Sequence, residues 1–334
     1  MKKDLVSLLI PAYNAESYIG RLLDSILIQT YSSVEVLVIN DGSTDETIDV
    51  ATSYKAAFER RGYPFRLVTQ ANEGLSSTIN NGLKLIDGEY LAWPDMDDWY
   101  RTPYAIERIV KALKQGGHEV GIARCAYERI SEETMTTIRI DIPSHTDKPS
   151  CIFEDAVFSR KGYWPEPGGW MIKTEMLDKF IPDRNIFTTR LGGQNAQIIW
   201  PYLFYSKCIS IKESLYCYLI RKDSHSRGGM DTYEKKVQQQ KDYYDTFSAV
   251  ISAIKDMNEK DREKYLTYIN EKRLFVLFRM ALRYSKHEDV RALYEDYKNN
   301  AHFYPVSYLD SIFYSLSVLP GGLKVLNVIR NLKS

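Results

Sequence analysis

Residues 5–14 read Leu5-Val6-Ser7-Leu8-Leu9-Ile10-Pro11-Ala12-Tyr13-Asn14, a nearly continuous apolar run that stops at a proline. The run is too short for a membrane span or a signal core, and its unbroken apolarity suits a strand covered on both faces. Directly after it, Ala15–Gln29 sets Ile19, Leu22, Leu23, Ile26 and Leu27 at i, i+3, i+4, i+7 and i+8, one stripe of a helix. A second apolar run follows at Val34–Ile39. Working outward, Phe65–Thr69, Glu89–Trp93 and Val120–Ala123 read as further strands. Thr44–Arg61, Ser76–Leu85 and Pro103–Gln115 carry helical spacing between them, with Thr44-Asp45 as a helix start. This alternation predicts an α/β fold, a mostly parallel central sheet flanked by helices and joined by right-handed crossovers. Ligands of such sheets lie outside the carboxyl ends of the strands, so the loops after Ile10, Ile39, Thr69 and Trp93 are where chemistry is expected.

The 334 residues carry 44 Lys+Arg against 44 Asp+Glu. Zero net charge argues against a general nucleic-acid binder, and none is expected as a partner. Hydrophobic residues at 44% and charged ones at 26% exclude disordered and collagen-like chains. Cys125, Cys151, Cys208 and Cys217 form no CxxC pair, which speaks against a zinc site or disulfide framework and for a reducing cytoplasm. No stretch reaches the roughly 18 apolar residues of a transmembrane helix. The expectation is a cytoplasmic protein that reaches at most the inner face of the membrane. The 25 Tyr, 12 Phe and 5 Trp offer walls for a sugar or a base, and equally a core.

The second loop, Asn40-Asp41-Gly42-Ser43, sets a carboxylate at a strand end, before a glycine that lets backbone amides approach a ligand. It is also an ordinary turn with a helix cap. The fourth is richer: Trp93-Pro94-Asp95-Met96-Asp97-Asp98-Trp99 delivers three carboxylates to the sheet edge. Asp95 and Asp97, two apart in an extended chain, point the same way and can share one hard cation. Three clustered carboxylates without an adjacent Lys or Arg repel one another unless a cation is present. Otherwise they form an acidic surface turn.

Pro11–Asn14, Asn40–Ser43, Asn72-Glu73-Gly74 through Asn80-Asn81-Gly82, and Asp95–Asp98 occur in the order and spacing of family 2 glycosyltransferases with the GT-A fold. The chain resembles that family from about Leu5 to Arg227. The resemblance implies that a nucleotide sugar, most simply a UDP-sugar, lies across Pro11, Tyr13, Asn14 and Asp41, with Asn72, Gly74, Asn80, Asp95 and Met96 also at the donor. It implies Mn²⁺ or Mg²⁺ held on the diphosphate by Asp95 and Asp97. It also implies direct displacement at the anomeric carbon by an acceptor hydroxyl, usually with inversion. In the family a His or basic residue near Arg221–Arg227 closes over the diphosphate, which makes His225 a third metal ligand and Arg221 and Arg227 diphosphate contacts. A solvated polar turn is the plainer use of that segment.

Two departures stand out. Ile79 precedes Asn80 where many members have Arg, removing a cationic contact to the nucleotide. More seriously, Gly192-Gly193-Gln194-Asn195 stands where the family usually supplies an acidic pair as general base. Amides cannot take a proton near neutral pH. Gln194 and Asn195, with Asp98, are then expected to bind acceptor or sugar, while Glu154, Asp155 or Asp183 serves as base. Alternatively the proton leaves through the donor phosphate or solvent, or the chain is catalytically dead. Trp164 and Trp170 flank a Pro/Gly stretch and offer a face to an acceptor sugar, or pack in the core.

The expected organisation is a catalytic domain over 1–229, with a nucleotide-sugar half at about 1–126 and an acceptor half at about 127–229, then a helical domain over 230–334. Tyr304–Val318 and Leu319–Lys333 mix apolar and basic residues, suited to a membrane surface, to docking onto the catalytic domain or to homo-oligomer contact. The function expected is metal-dependent transfer of a hexose or N-acetylhexosamine to a surface glycan or to a lipid-linked or protein-linked acceptor. The competing expectation is a non-catalytic glycosyltransferase-like subunit that binds nucleotide sugar or a partner enzyme.

Overall fold

The run at 5–14 forms most of β1 (Lys2–Ala12). From Leu5 to Ala12 every residue of it is buried. The computed structural model describes residues 1–187, 192–221, 232–284 and 286–319. After β1 come α1 (Ile19–Leu27), β2 (Val34–Asp41), α2 (Thr47–Ser53), α3 (Lys55–Arg61), β3 (Phe65–Gln70), α4 (Leu75–Leu83), β4 (Gly88–Ala92), β5 (Trp99–Tyr100) and α5 (Ala105–Gln115). The sheet continues through β6 (Val120–Ser131), β7 (Thr137–Asp141), β8 (Pro149–Ser150), α6 (Phe153–Val157), β9 (Trp170–Lys173), α7 (Leu177–Phe180), α8 (Gln194–Tyr205) and β10 (Lys207–Ile220).

The strands form one sheet in the order β3-β2-β1-β4-β9-β6-β10-β5, with β7 on β6 and β8 on β10. β3, β2, β1 and β4 run parallel, as do β6 and β10, while β9 lies antiparallel between β4 and β6. This is the α/β fold with a mostly parallel, helix-flanked sheet expected from the sequence. Val6, Leu8, Ile10, Val36 and Val38 are inaccessible to solvent beneath Ile19, Leu22, Leu23 and Ile26 of α1. Burial of each such side chain contributes about 1.5–3 kcal/mol.

Two elements differ from their expected extents for local reasons. α1 starts at Ile19 rather than Ala15, and the amides of Ala15 and Glu16 ahead of it donate to Thr47 Oγ1 and Asp45 Oδ2. Thr44–Arg61 is two helices meeting at Tyr54, whose hydroxyl donates to the Gly20 carbonyl across the layer.

The chain divides into two units, Met1–Arg190 with Gln194–Ser224, and Leu191–Gly193 with His225–Ser334. The second contains α9 (Tyr233–Ala253), α10 (Glu259–Arg283), α11 (His287–Asn299) and α12 (Tyr308–Val318). Thr232, Asn258 and Ser307 cap three of these through their side-chain oxygens. Phe278, Ala281, Leu282 and Val290 form their fully buried centre. Glu271 is buried there and accepts from the amides of His302, Phe303 and Tyr304, fixing the turn before α12. Among the described residues no helix is long and apolar enough to cross a membrane.

Candidate active site

Three loops at the carboxyl edge of β1, β2 and β3 are stitched together by side-chain hydrogen bonds. The Asn14 amide donates to Ser43 Oγ at 3.0 Å, and Asn14 Oδ1 accepts from the Thr44 amide at 2.9 Å. Asn14 holds φ +47°, a conformation Asn tolerates better than most residues. Asp41, the last residue of β2, is buried and binds the third loop. Its Oδ1 accepts from the Glu73 amide and Gln70 Nε2, and its Oδ2 from the Gly74 amide, each at 2.9 Å. Gly42 (φ +69°) is needed for this closeness: a Cβ there would lie 2.8 Å from the Asn72 nitrogen. Tyr13, Asn14 and Asn72 are exposed around the cradle, and Pro11 is buried in β1 opposite Ile39.

At the end of β4, Asp95 and Asp97 are half-buried and Asp98 is fully buried. Burial raises the Asp95 carboxyl well above the usual range, with the charges of Asp97 and Glu166 adding to it and Arg221 opposing. Burial likewise raises Asp97, against the nearby Arg221. Arg221 Nε sits 2.7 Å from Asp97 Oδ2, and its guanidinium lies 4.4 Å from the centre of the Tyr18 ring. Among the described residues the Arg221 guanidinium pairs with Asp97 and its charge also reaches Asp95. Among the described residues no group of three or more His, Cys, Asp or Glu side chains is placed to hold a metal ion unaided. Asp95 and Asp97 offer two carboxylates of the kind a hard cation accepts alongside other oxygen ligands.

A carboxylate that the sequence alone did not single out joins this site. The antiparallel register pairs Tyr90 with Lys173 and Leu91 with Ile172. The segment before β9 carries Glu166 close enough to Asp95 for its charge to raise that carboxyl. A Cβ on Gly168 would lie 1.7 Å from Tyr216 Cζ, so glycine alone lets this segment rest on the Tyr216 ring. Glu166 Oε1 accepts from Arg129 at 3.2 Å, while Oε2 is buried with no hydrogen-bond partner among the described residues. Its only sequence signal was being the sole carboxylate in the Pro/Gly stretch 163–170.

Several expectations are corrected by these placements. Asp98 does not meet an acceptor: it has no exposed surface, its Oδ1 accepts from the Leu219 amide at 2.8 Å, and burial raises its carboxyl well above the usual range. Trp170 is fully buried, with the Arg124 guanidinium 5.4 Å from its ring, so it is core rather than a sugar platform. Asn80 spends both ends of its amide on the Ile186 backbone, 3.0 Å and 2.7 Å, and so positions that segment.

None of the three expected bases reaches the Asp95 edge. Glu154 and Asp155 lie on α6, just after β8, which pairs with Cys208 and Ile209 at the amino end of β10, the opposite end from Arg221. Asp155 is occupied by His145 (3.0 Å) and Arg160 (3.1 Å), and Glu154 faces Arg160 at 3.4 Å. Asp183 is exposed beside Arg184, which donates to the Leu83 carbonyl where the chain leaves α4 toward the amino end of β4.

Of the two amides at the start of α8, Gln194 is buried, and Asn195 is half-buried and accepts from Trp93 Nε1 at 3.1 Å. Asn195 therefore stands beside the strand end that carries Asp95. Met96 is half-buried against the core of the sheet. His225 and Arg227 lie outside the described residues.

The family model for glycosyl transferase family 2 matches residues 7–179. EpsH of Bacillus subtilis, which bears the name of a glycosyltransferase, is 34% identical over 162 residues, 48% of this chain and 45% of EpsH. Glycosyltransferase GlyA of Streptococcus pneumoniae is 31% identical over 235 residues, 67% of this chain and 32% of GlyA. The chain thus spans less than half the length of these relatives. Among solved structures, S. aureus TarS in complex with UDP-GlcNAc aligns with TM-score 0.64 at 16% identity, covering 89% of each chain. The mannosyltransferase PcManGT of Pyrobaculum calidifontis, in complex with GDP-Man and Mn²⁺, aligns with TM-score 0.55 at 16% identity, covering 97% of this chain and 86% of that one. At such identity the likeness is one of fold. With the family model spanning half the chain, and its loops gathered at the carboxyl edge of the sheet, the chain belongs to glycosyl transferase family 2.

Proposed function

We propose that the protein transfers a hexosyl or N-acetylhexosaminyl group from a nucleoside-diphosphate sugar, most simply a UDP-sugar, to an acceptor hydroxyl on a surface glycan, lipid-linked glycan or glycoprotein. The observation that carries this is the meeting at one sheet edge of the Asp41-braced cradle with the Asp95–Asp97–Arg221 cluster. A cradle of ordered amides suits the base and ribose, and an acidic pair beside a guanidinium suits a cation-bound diphosphate. Support also comes from relatives of like fold: TarS in complex with UDP-GlcNAc, and PcManGT with GDP-Man and Mn²⁺.

Asp95 and Asp97 would hold Mn²⁺ or Mg²⁺, which when bound supplies positive charge to the departing diphosphate. Arg221 adds a fixed cation on the same side and orients the phosphates. Tyr13 and Asn14 border the base and ribose, while Asp41 keeps the Glu73–Gly74 amides in place and so shapes the pocket without having to touch the donor. Asn195 lies at the sugar end. Glu166 takes the proton of the acceptor hydroxyl as the oxygen attacks the anomeric carbon and the carbon–phosphate-oxygen bond breaks, which gives inversion. A carboxylate can do this at neutral pH, and the amides of Gln194 and Asn195 cannot. The catalytic domain is taken as 1–229 and the helices of 230–334 as a separate domain.

Those two amides favour a second reading, a non-catalytic subunit that binds nucleotide sugar. Release of nucleoside diphosphate from a panel of nucleotide sugars, with and without glycan acceptors, separates the two. Turnover with at least one UDP-sugar is expected. Binding of UDP without release from any donor would favour the non-catalytic subunit.

A further inference from the structure

β7 is a free sheet edge with an unusual surface. Among the described residues it pairs only with β6, through Tyr127↔Asp141, Glu128↔Ile140, Arg129↔Arg139 and Ile130↔Thr137. Its other edge carries no ladder. Ile138, Ile140 and Ile142 fall on one face of the strand, two residues apart, and are 57%, 51% and 49% exposed. Exposed apolar edges are ordinarily blunted by Lys or Pro, and β7 contains neither. The hairpin tip does not favour a bilayer as the cover, because Glu132 and Glu133 stand there and anionic headgroups would repel them.

The order of residues specifies a partner. Ile138-Arg139-Ile140-Asp141-Ile142 is symmetric in its apolar positions and opposite in its charges about Ile140. We propose that two copies of this chain associate by antiparallel pairing of their β7 strands, with Ile140 opposite the partner's Ile140 on the twofold axis. In that register Ile138 faces the partner's Ile142, and Arg139 faces the partner's Asp141, twice over by symmetry. No neighbouring register does this. A slip of one residue sets charges against isoleucines and turns the apolar rows to opposite faces. The next symmetric registers set Arg139 against the partner's Arg139, or Asp141 against the partner's Asp141. Arg139 is 61% exposed and contacts Asp141 of its own strand at 3.1 Å, and Asp141 is 18% exposed and is also held by Arg129 at 2.5 Å. In the paired register Arg139 exchanges its contact with its own Asp141 for one with the partner's Asp141, while Arg129 holds each carboxylate in place. A short ladder with a few apolar pairs lies below the size of a standard stable interface, so dissociation in the range of roughly 10–100 µM is expected.

The register makes the test specific. Cys125, Cys208 and Cys217 are buried and Cys151 is exposed, so the full-length chain carrying Cys151→Ser serves as the background. Under mild oxidation Ile140→Cys should cross-link to its own copy in most of the protein. Ile138→Cys should not, because like positions are then about 13 Å apart along the strands. Ile138→Cys combined with Ile142→Cys should cross-link again. In sedimentation velocity the Cys151→Ser protein should shift from monomer to dimer over that concentration range, and Ile140→Lys should weaken the association at least about tenfold. These exposed positions remove no core packing, and circular dichroism confirms folding. The proposal is overturned by a monomer at every concentration with no Ile140→Cys dimer. It is overturned equally by Ile138→Cys cross-linking as readily as Ile140→Cys, or by association that Ile140→Lys leaves unchanged.

Discussion

Arg221 Nε lies 2.7 Å from Asp97 Oδ2, and the two side chains are only 11% and 13% exposed. This pair joins the end of β10 to the loop after β4 and gives the aspartate cluster its counter-charge. At a poorly solvated site a unit charge at that distance is worth on the order of 1–2 kcal/mol or more.

Replacing Arg221 by Met should therefore act in opposite directions on two ligands. Mn²⁺ alone should bind about tenfold more tightly, because a like charge has left the site. The KM for the nucleotide sugar should rise by a similar factor through loss of a phosphate contact. Calorimetric titration with Mn²⁺ and steady-state kinetics read the two effects separately.

Asp41→Ala should leave the Glu73 and Gly74 amides and Gln70 Nε2 without their acceptor. The stability cost expected is about 1–3 kcal/mol, from the amides left unpaired at a buried site. The donor KM should rise several-fold or more while kcat changes less, since the cradle is loosened and the groups at the anomeric carbon are not. Denaturant unfolding and donor titrations check this.

Glu166→Gln should lower kcat by about 10²–10⁴ with the donor KM nearly unchanged, the usual loss when a general base is removed. Asp155→Asn, Glu154→Gln and Asp183→Asn should each cost less than about tenfold, because those carboxylates lie away from the edge that carries Asp95. Turnover numbers for the four variants, measured at saturating donor, decide the matter. A large loss at Asp155 with none at Glu166 would reverse the assignment.

In the helical unit, the His302 ring is raised above its ordinary pKa by the Asn300 carbonyl and by Glu271, which it contacts at 3.1 Å. The protonated form is the one stabilised, so this stability is fully present below the unfolded value of about 6.5 and is lost as pH rises through the higher folded value. The difference in Tm between the parent protein and His302→Ala should be larger at about pH 5.5 than at about pH 8.5. A difference that grows with pH would contradict the sign.

Much of the fold was legible because its signals are local. The strands at Leu5–Ile10 and Val34–Ile39 and the stripe of α1 follow from apolar spacing, and the Asp95–Asp98 cluster marks its own strand end. Asp98 was misjudged because a carboxylate adjacent to two others reads as exposed. Its burial depends on the Leu219 amide, more than a hundred residues away. The surroundings of Trp170 and Asn80 were hidden for the same reason: their partners, Arg124 and Ile186, are distant in sequence. Glu166 was invisible because its place depends on contacts far along the chain, with Arg129 holding its carboxylate and Gly168 resting on Tyr216. Glu154 and Asp155 lie away from the Asp95 edge because α6 follows a strand at the amino end of β10, a feature of topology rather than composition.

The central claim is that Asp95 and Asp97 hold a cation on the diphosphate of a nucleotide bound at this edge. Calorimetric titration of UDP into the protein with and without Mn²⁺, repeated for Asp97→Asn, tests it most directly. Binding that depends on Mn²⁺ and weakens at least about tenfold in Asp97→Asn is expected, the scale of a lost charged ligand to the cation. Absence of UDP binding, or binding equally tight without Mn²⁺ and in Asp97→Asn, would contradict it.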